Sequence, residues 1–260
     1  MSVITITSDL GTSDYYLAAL KGAIIKACGN VPLVDVNCNI KPFDIRQAAY
    51  NIREAHSYFP DGTIHVVHVS PGFSKAKILL AKYRQQFFIA FDNGLLALLP
   101  KEFSEEVYVL KNEFMKRSDF FFAENVSLLV SHIAAGKPLN LIAEAYSDFK
   151  RKNLAPPAIT NSGLKGAVIA IDHFGNAVTN IDKNTFYEYV EKSNFEIAIS
   201  QVRIKEISLY YKSVTEGDLV AMFNSAGYLE IAINKGKANT LLGISVDNSV
   251  LVSRVTAQPF

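Results

Sequence analysis

From residue 1 to about residue 150, short β-branched runs alternate with segments whose apolar residues recur at helical spacing. SVITITS and VPLVDVN read as strands, and SDYYLAALKGAIIKACG reads as a helix that begins after Ser13 and is closed by Gly29. DIRQAAYNIREAHSYF is the next helix; GTIHVVHVS, QFFIAFDNGLLALL and EVYVL carry further strands; ENVSLLVSHIAAG is a third helix. Alternating strands and helices predict βαβ units, hence an α/β N-terminal domain with a largely parallel central sheet. Ligands of such sheets sit beyond the carboxyl ends of the strands. SDLGTSD, NCNIKPFD, SPGFSKAK and DNG all follow strands, so they are the expected rim loops.

The texture changes near residue 148. DFKRKNLAPPAITNSGL is charged, then rich in Pro, Asn, Ser and Gly, as a linker would be. Beyond it KGAVIAID, NAVTNID, FEIAIS, DLVAMFNS, YLEIAINKG and SVLVSRVTA read as short strands, interrupted by the helical KNTFYEYVEK. Short strands with frequent turns predict an all-β, barrel-like C-terminal domain. The expected division is residues 1–150 for the α/β domain, 151–164 for the linker and 165–260 for the barrel.

Composition narrows the function classes. About half of the 260 residues are apolar (49%) and a fifth charged (20%), an ordinary globular balance. Lys plus Arg (26) nearly cancels Asp plus Glu (25), so neither a nucleic-acid nor a membrane partner is expected. Cys28 and Cys38 form no CxxC or Cys/His cluster, which fits a reducing cytoplasm and argues against a disulfide scaffold or structural zinc. MSVITITSDLG lacks the basic and long apolar regions of a signal peptide, and no apolar run reaches the roughly 18 residues of a membrane span. No GxGxxG follows the first strand, and GxxxxGK[ST], HExxH and GxSxG are absent, so neither a cofactor nor a metal is expected.

Five stretches nevertheless stand out in order: ITSDLGTSDYYLAALKG, DIRQAAYNI, FFIAFDNGLLALL, DHFGNAVTNI and FNSAGYLEIAIN. Together they resemble the S-adenosylmethionine (SAM) hydroxide adenosyltransferases, relatives of the bacterial fluorinase and chlorinase, from about residue 4 to 243. The resemblance implies an N-terminal α/β domain, a C-terminal barrel and a homotrimer that binds a small-molecule nucleoside between one subunit's N-domain and a neighbour's C-domain.

It also implies roles for particular residues, and these can be weighed against the chemistry. A pocket for adenosine wants aromatic faces and a carboxylate to accept the ribose hydroxyls. Asp9 falls at the family's ribose-binding position and Phe43 where halogenases carry an aromatic beside the ribose. The alternatives are a turn residue for Asp9 and an ordinary core residue for Phe43. Asp172 and Asn176 fall where the family grips the amino-acid end of the substrate, Phe174 where it stacks on adenine, and Ser225 where it binds the methionine carboxylate. Halogenases follow that Ser with Arg; Ala226 stands here. The alternative for residues 172–176 is a hairpin built of turn formers.

The catalytic set departs from the family. Its hydrolases prepare the nucleophile with Asp, Arg and His, and Ser70, Lys77 and Phe121 occupy those positions here. These three side chains cannot jointly act as a general base near neutral pH. Phe122 would fill the space that halogenases keep for halide, which argues against halogenation. His68, on the same strand face as Ser70, is a candidate substitute base or an ordinary packing residue. The readings left open are a hydrolase that forms adenosine and methionine, a silent SAM or adenosine binder, and the same fold acting on another nucleoside.

Overall fold

The computed structural model describes residues 2–71, 76–100, 103, 106–116, 121–152 and 155–255. The chain divides into two compact units, Met1–Leu154 and Ala155–Phe260.

In unit 1 the strands are β1 (Ile4–Ser8), β2 (Leu33–Asn37), β3 (Ile64–His68), β4 (Ile78–Tyr83), β5 (Gln86–Phe91), β6 (Glu106–Leu110) and β7 (Ala143–Ala145). The helices are α1 (Tyr16–Cys28), α2 (Ile45–Ala55) and α3 (Phe121–Ala134). The seven strands form one sheet in the order β2-β1-β3-β5-β4-β6-β7. Strands β2, β1, β3, β5 and β6 point one way, with β4 and β7 against them. An α/β unit with a largely parallel sheet is thus what the hydrophobic pattern indicated. Strand β4 escaped the sequence reading because ILLAKY is too short an apolar run to reveal its period.

Helices α1 and α2 each bury one stripe. In α2 the buried Ile45, Ala48, Ala49 and Ile52 recur at i, i+3, i+4 and i+7, and Asp44 caps the start by accepting from the Arg46 and Gln47 backbone N–H groups. In α1, Leu17, Leu20 and Ile24 face inward, and Gly29 ends the helix at φ 74°, a conformation glycine adopts without steric penalty. Helices α1 and α3 share one core with one face of the sheet, while α2 packs in the core on the other face. From β1 the chain runs through α1 to β2, then through α2 to β3 on β1's other side. The winding direction therefore reverses between β1 and β3, and the crevice beyond their carboxyl ends is the topological switch point where such sheets bind ligands.

Unit 2 contains β8 (Ala158–Thr160), β9 (Gly163–Ile171), β10 (Ala177–Asp182), β11 (Asn194–Ile199), β12 (Val202–Ile204), β13 (Leu219–Phe223), β14 (Tyr228–Ile233) and β15 (Ser249–Val255), with α4 (Lys183–Val190) and the single-turn α5 (Ala238–Leu241). The main path is antiparallel, β12-β11-β15-β9-β10-β14-β13, with β8 added to β9. Its two ends, β12 and β13, approach each other, so the sheet curls into a nearly closed barrel. Leu164, Val168, Ile181, Phe186, Ile197, Leu229 and Val252 fill the interior. Strand β8 lies inside the stretch expected to be linker.

Candidate functional site

The switch point of unit 1 is organised by Asp9, the first residue after β1. Its carboxylate accepts the Phe43 backbone N–H at 3.0 Å and the Ser70 backbone N–H at 3.0 Å, and Oδ1 lies 3.0 Å from Nδ1 of His68. The adjacent backbones join too, Asp9 N–H donating to the His68 carbonyl at 3.0 Å. Only 4% of the Asp9 side chain is exposed. Burial pushes its pKa up, but the His68 bond and the two backbone donors outweigh this and hold the carboxyl below the usual aspartate value. Asp9, Ser70 and the backbone of Phe43 are thus brought together, although they come from three separate loops.

The Phe43 ring is exposed, so it is not the core residue that its alternative reading required. Its backbone sits at φ 66°, in the left-handed region that costs a non-glycine residue roughly 1 kcal/mol. The bond to Asp9 helps to hold it there. Strained, exposed residues of this kind are found preferentially at functional sites.

His68 ends β3. Its ring meets Phe122 edge-on at 4.7 Å between centroids and Phe91 edge-on at 5.5 Å. Phe121 is parallel to Phe91 at 6.3 Å. Phe121 and Phe122 therefore extend the aromatic surface around His68. Lys77 is engaged elsewhere: its Nζ donates to the Tyr146 hydroxyl at 2.6 Å and lies 4.2 Å from the centre of that ring. The Tyr146 bond pushes the Lys77 pKa up, which keeps it a cation rather than a base. Within SPGFSKAK, residues 72–75 lie outside the described residues.

In unit 2 the stretch 172–176 is the β9–β10 turn. Asp172 Oδ1 accepts the Asn176 backbone N–H at 2.8 Å, and Oδ2 accepts the Asn176 side-chain amide at 2.9 Å. Each carboxylate oxygen keeps a second lone pair for a ligand. Gly175, at φ 86°, brings the turn so close to α5 that a Cβ there would lie 2.9 Å from Cβ of Lys237. The turn thereby thrusts Phe174 outward, 71% exposed. It borders an open cavity of about 1040 Å³, lined among others by Phe174, Asn176, Tyr210, Tyr211, Asn234 and Lys237. Ser225 is exposed at the tip of the β13–β14 turn, which Asn224 Oδ1 shapes by accepting the Ala226 and Tyr228 N–H groups.

Glu230, which sequence reasoning passed over, ties these pieces together. It is 3% exposed on β14 and accepts the Tyr211 hydroxyl at 2.7 Å. Burial raises its pKa; bonds from Tyr211, Asn224 and Asn176 oppose that, and the nearby Asp172 charge adds to it. A lone acid in the apolar run YLEIAI was the available signal. The pairing of His68 with Asp9 was also missed, because it joins residues 59 apart in the chain.

Comparison with known proteins adds a second line of observation. Residues 4–143 match the profile of the SAM hydroxide adenosyltransferase N-terminal domain, and residues 166–251 match that of its C-terminal domain. The chain belongs to the SAM hydroxide adenosyltransferase family. Among relatives, a fluorinase of Actinoplanes sp. (strain N902-109) is 28% identical, over 89% of this chain and 91% of its own length. The (R)-S-adenosyl-L-methionine hydrolase of Thermus thermophilus is 27% identical, over 94% of this chain and 96% of its own. That of Methanocaldococcus jannaschii is 28% identical, over 94% and 93%. Among solved structures, an uncharacterized conserved protein from Thermotoga maritima superposes with a TM-score of 0.85 at 25% identity, covering 97% of this chain and all of that one. The relatives thus include both a fluorinase and S-adenosyl-L-methionine hydrolases. Among the described residues no cluster of His, Cys, Asp or Glu could hold a metal ion, and no helix is long and apolar enough to cross a membrane.

Proposed function

We propose that this protein binds S-adenosylmethionine and hydrolyses it to adenosine and methionine. The observation that carries this reading is the turn at residues 172–176: an acid with free lone pairs, its bonded amide and an outward-facing Phe174 beside an open cavity. An ammonium requires such a carboxylate, and an adenine ring such an aromatic face. The sulfonium leaves readily, so the protein has chiefly to place a water opposite sulfur, in line with ribose C5′. Halogenation fits less well, because Phe122, packed against His68 and Phe91, stands at the position that the resemblance gives to the halide.

One observation favours a second reading, a binding protein without turnover. Lys77 is bonded to Tyr146 and Phe121 is packed against Phe91, so neither serves as the catalytic cation or histidine expected by resemblance. Ala226, in place of the arginine of the halogenases, favours a third reading in which the same fold takes another nucleoside. On the family resemblance the working assembly is a cytoplasmic homotrimer, which light scattering on the purified protein would test.

The deciding experiment is chromatography of adenosine and methionine after incubation with SAM, with the two sulfonium epimers assayed separately. Adenosine and methionine in equal amounts, above a no-protein control, are expected. A ligand-induced rise in melting temperature without product would establish the binding protein instead. Neither product nor a thermal shift would remove SAM as the ligand.

A further inference from the structure

We propose that His68, oriented by Asp9, is the general base that takes the proton from the attacking water. This inference rests on the hydrolysis proposed above and assigns the group that the substituted positions 70, 77 and 121 leave missing.

The geometry has three parts. First, His68 and Asp9 stand at the carboxyl ends of the neighbouring strands β3 and β1, where residue 8 pairs with residue 68 in parallel register. This is the reversal point of the sheet, the ligand-binding position of a doubly wound fold. Second, Asp9 is fixed before it meets the imidazole. The Phe43 and Ser70 N–H groups hold its carboxylate, and a carboxylate so held accepts the Nδ1–H of His68. That contact selects the neutral tautomer whose lone pair is on Nε2. It also places a negative charge where it stabilises the imidazolium formed on proton uptake, the orienting role of the acid in an acid–histidine–nucleophile set.

Third, Nε2 is available. Among the described residues it has no hydrogen-bond partner, and the side chain retains 13% exposure. The edge contacts with Phe122 and Phe91 fix the ring plane, and neither is a hydrogen bond to that nitrogen. A histidine kept only to join two strands would be expected to satisfy both nitrogens. His65, three residues earlier on the same strand, does this, with Thr5 on Nδ1 and Gln86 on Nε2.

The water oxygen forms a bond to C5′ while the C5′–S bond breaks, and its electron pair stays on sulfur as the neutral thioether of methionine. The water proton passes to Nε2 of His68 and from there to solvent. No oxidant, reductant or further reactant is required.

The test compares the wild-type protein with His68→Gln, which can still hydrogen-bond Asp9 but cannot take up a proton. Adenosine formation is followed at saturating SAM from about pH 5 to 9, with SAM affinity measured separately. The expectation is a fall in kcat of roughly 10²–10⁴-fold, the usual worth of general-base assistance, with the dissociation constant within about threefold. The acid limb of the wild-type kcat profile should vanish in the variant, and added imidazole should restore part of the activity of His68→Ala. A folded His68→Gln protein with unchanged kcat and pH profile overturns the assignment while leaving hydrolysis intact. Absence of product from the wild type itself overturns hydrolysis and the base with it. Should both variants fail to fold, the wild-type protein still decides: a pH-independent kcat without a solvent deuterium isotope effect overturns a histidine base.

Discussion

Mild acid should destabilise unit 1, with the largest identifiable share coming from His65. It is fully buried (0% exposed) in β3, with its ring stacked on Phe88 at 4.6 Å between centroids. The Gln86 amide group donates to the carbonyls of His56, Phe59 and Pro60, so its oxygen is left to face the imidazole. Burial pushes the His65 pKa down to about 4; the Gln86 bond opposes this, and His56 adds to it. In the unfolded chain the value is about 6.5. The unfolded state therefore binds more protons between these two values, and stability is lost as pH falls through that window. At about 1.4 kcal/mol per pH unit, the gap from about 6.5 to about 4 is worth roughly 3 kcal/mol in full. Roughly 2 kcal/mol of it is lost between pH 7 and 5. For a unit of this size that is a drop of about 4–8 °C in melting temperature. Differential scanning calorimetry without ligand, at several pH values from 7 to 5, measures it. His56, whose pKa burial also lowers, contributes with the same sign, so the comparison with His65→Gln isolates the His65 share. The wild type should lose about 4–8 °C more than the variant over this range. Parallel curves would refute the assignment of the buried neutral imidazole.

Two further outcomes can be checked by stability measurements on single variants. Asp44→Ala removes the acceptor for two backbone N–H groups at the start of α2 and should cost about 1 kcal/mol, read from denaturant unfolding of the unliganded protein. Glu230 has a raised pKa, so its contribution is present below the ordinary glutamate value and lost as pH rises through the raised one. Glu230→Gln should therefore compare more favourably with wild type at pH 7 than at pH 4.5, and a difference of the opposite sign would contradict the buried-acid account.

Much of this protein is legible along the chain. The elements α1 and α2 follow from apolar residues at i, i+3, i+4 and i+7, and their ends from Gly29 and Asp44. Their alternation with β1, β2 and β3 implies the parallel arrangement, and that in turn marks Asp9, Phe43 and Ser70 as rim residues, because side chains just past the strand ends have no place in the core. The turn at 172–176 is equally local: Asp, Gly and Asn within five residues close on one another through bonds that span four positions.

What only the tertiary structure decided is which distant side chains meet. The partner of Asp9 is His68, 59 residues away, because β1 and β3 are neighbours in a register that places residue 8 beside residue 68. Lys77 is taken up by Tyr146, 69 residues on. Glu230 finds Tyr211 and the amides of Asn176 and Asn224 because β14 lies between β10 and β13 in the barrel. Periodicity records how each residue faces its own element, a property of a few neighbouring residues. Hydrogen-bond partners and buried charges depend on which elements pack together and in what register, and that is set by the whole chain at once.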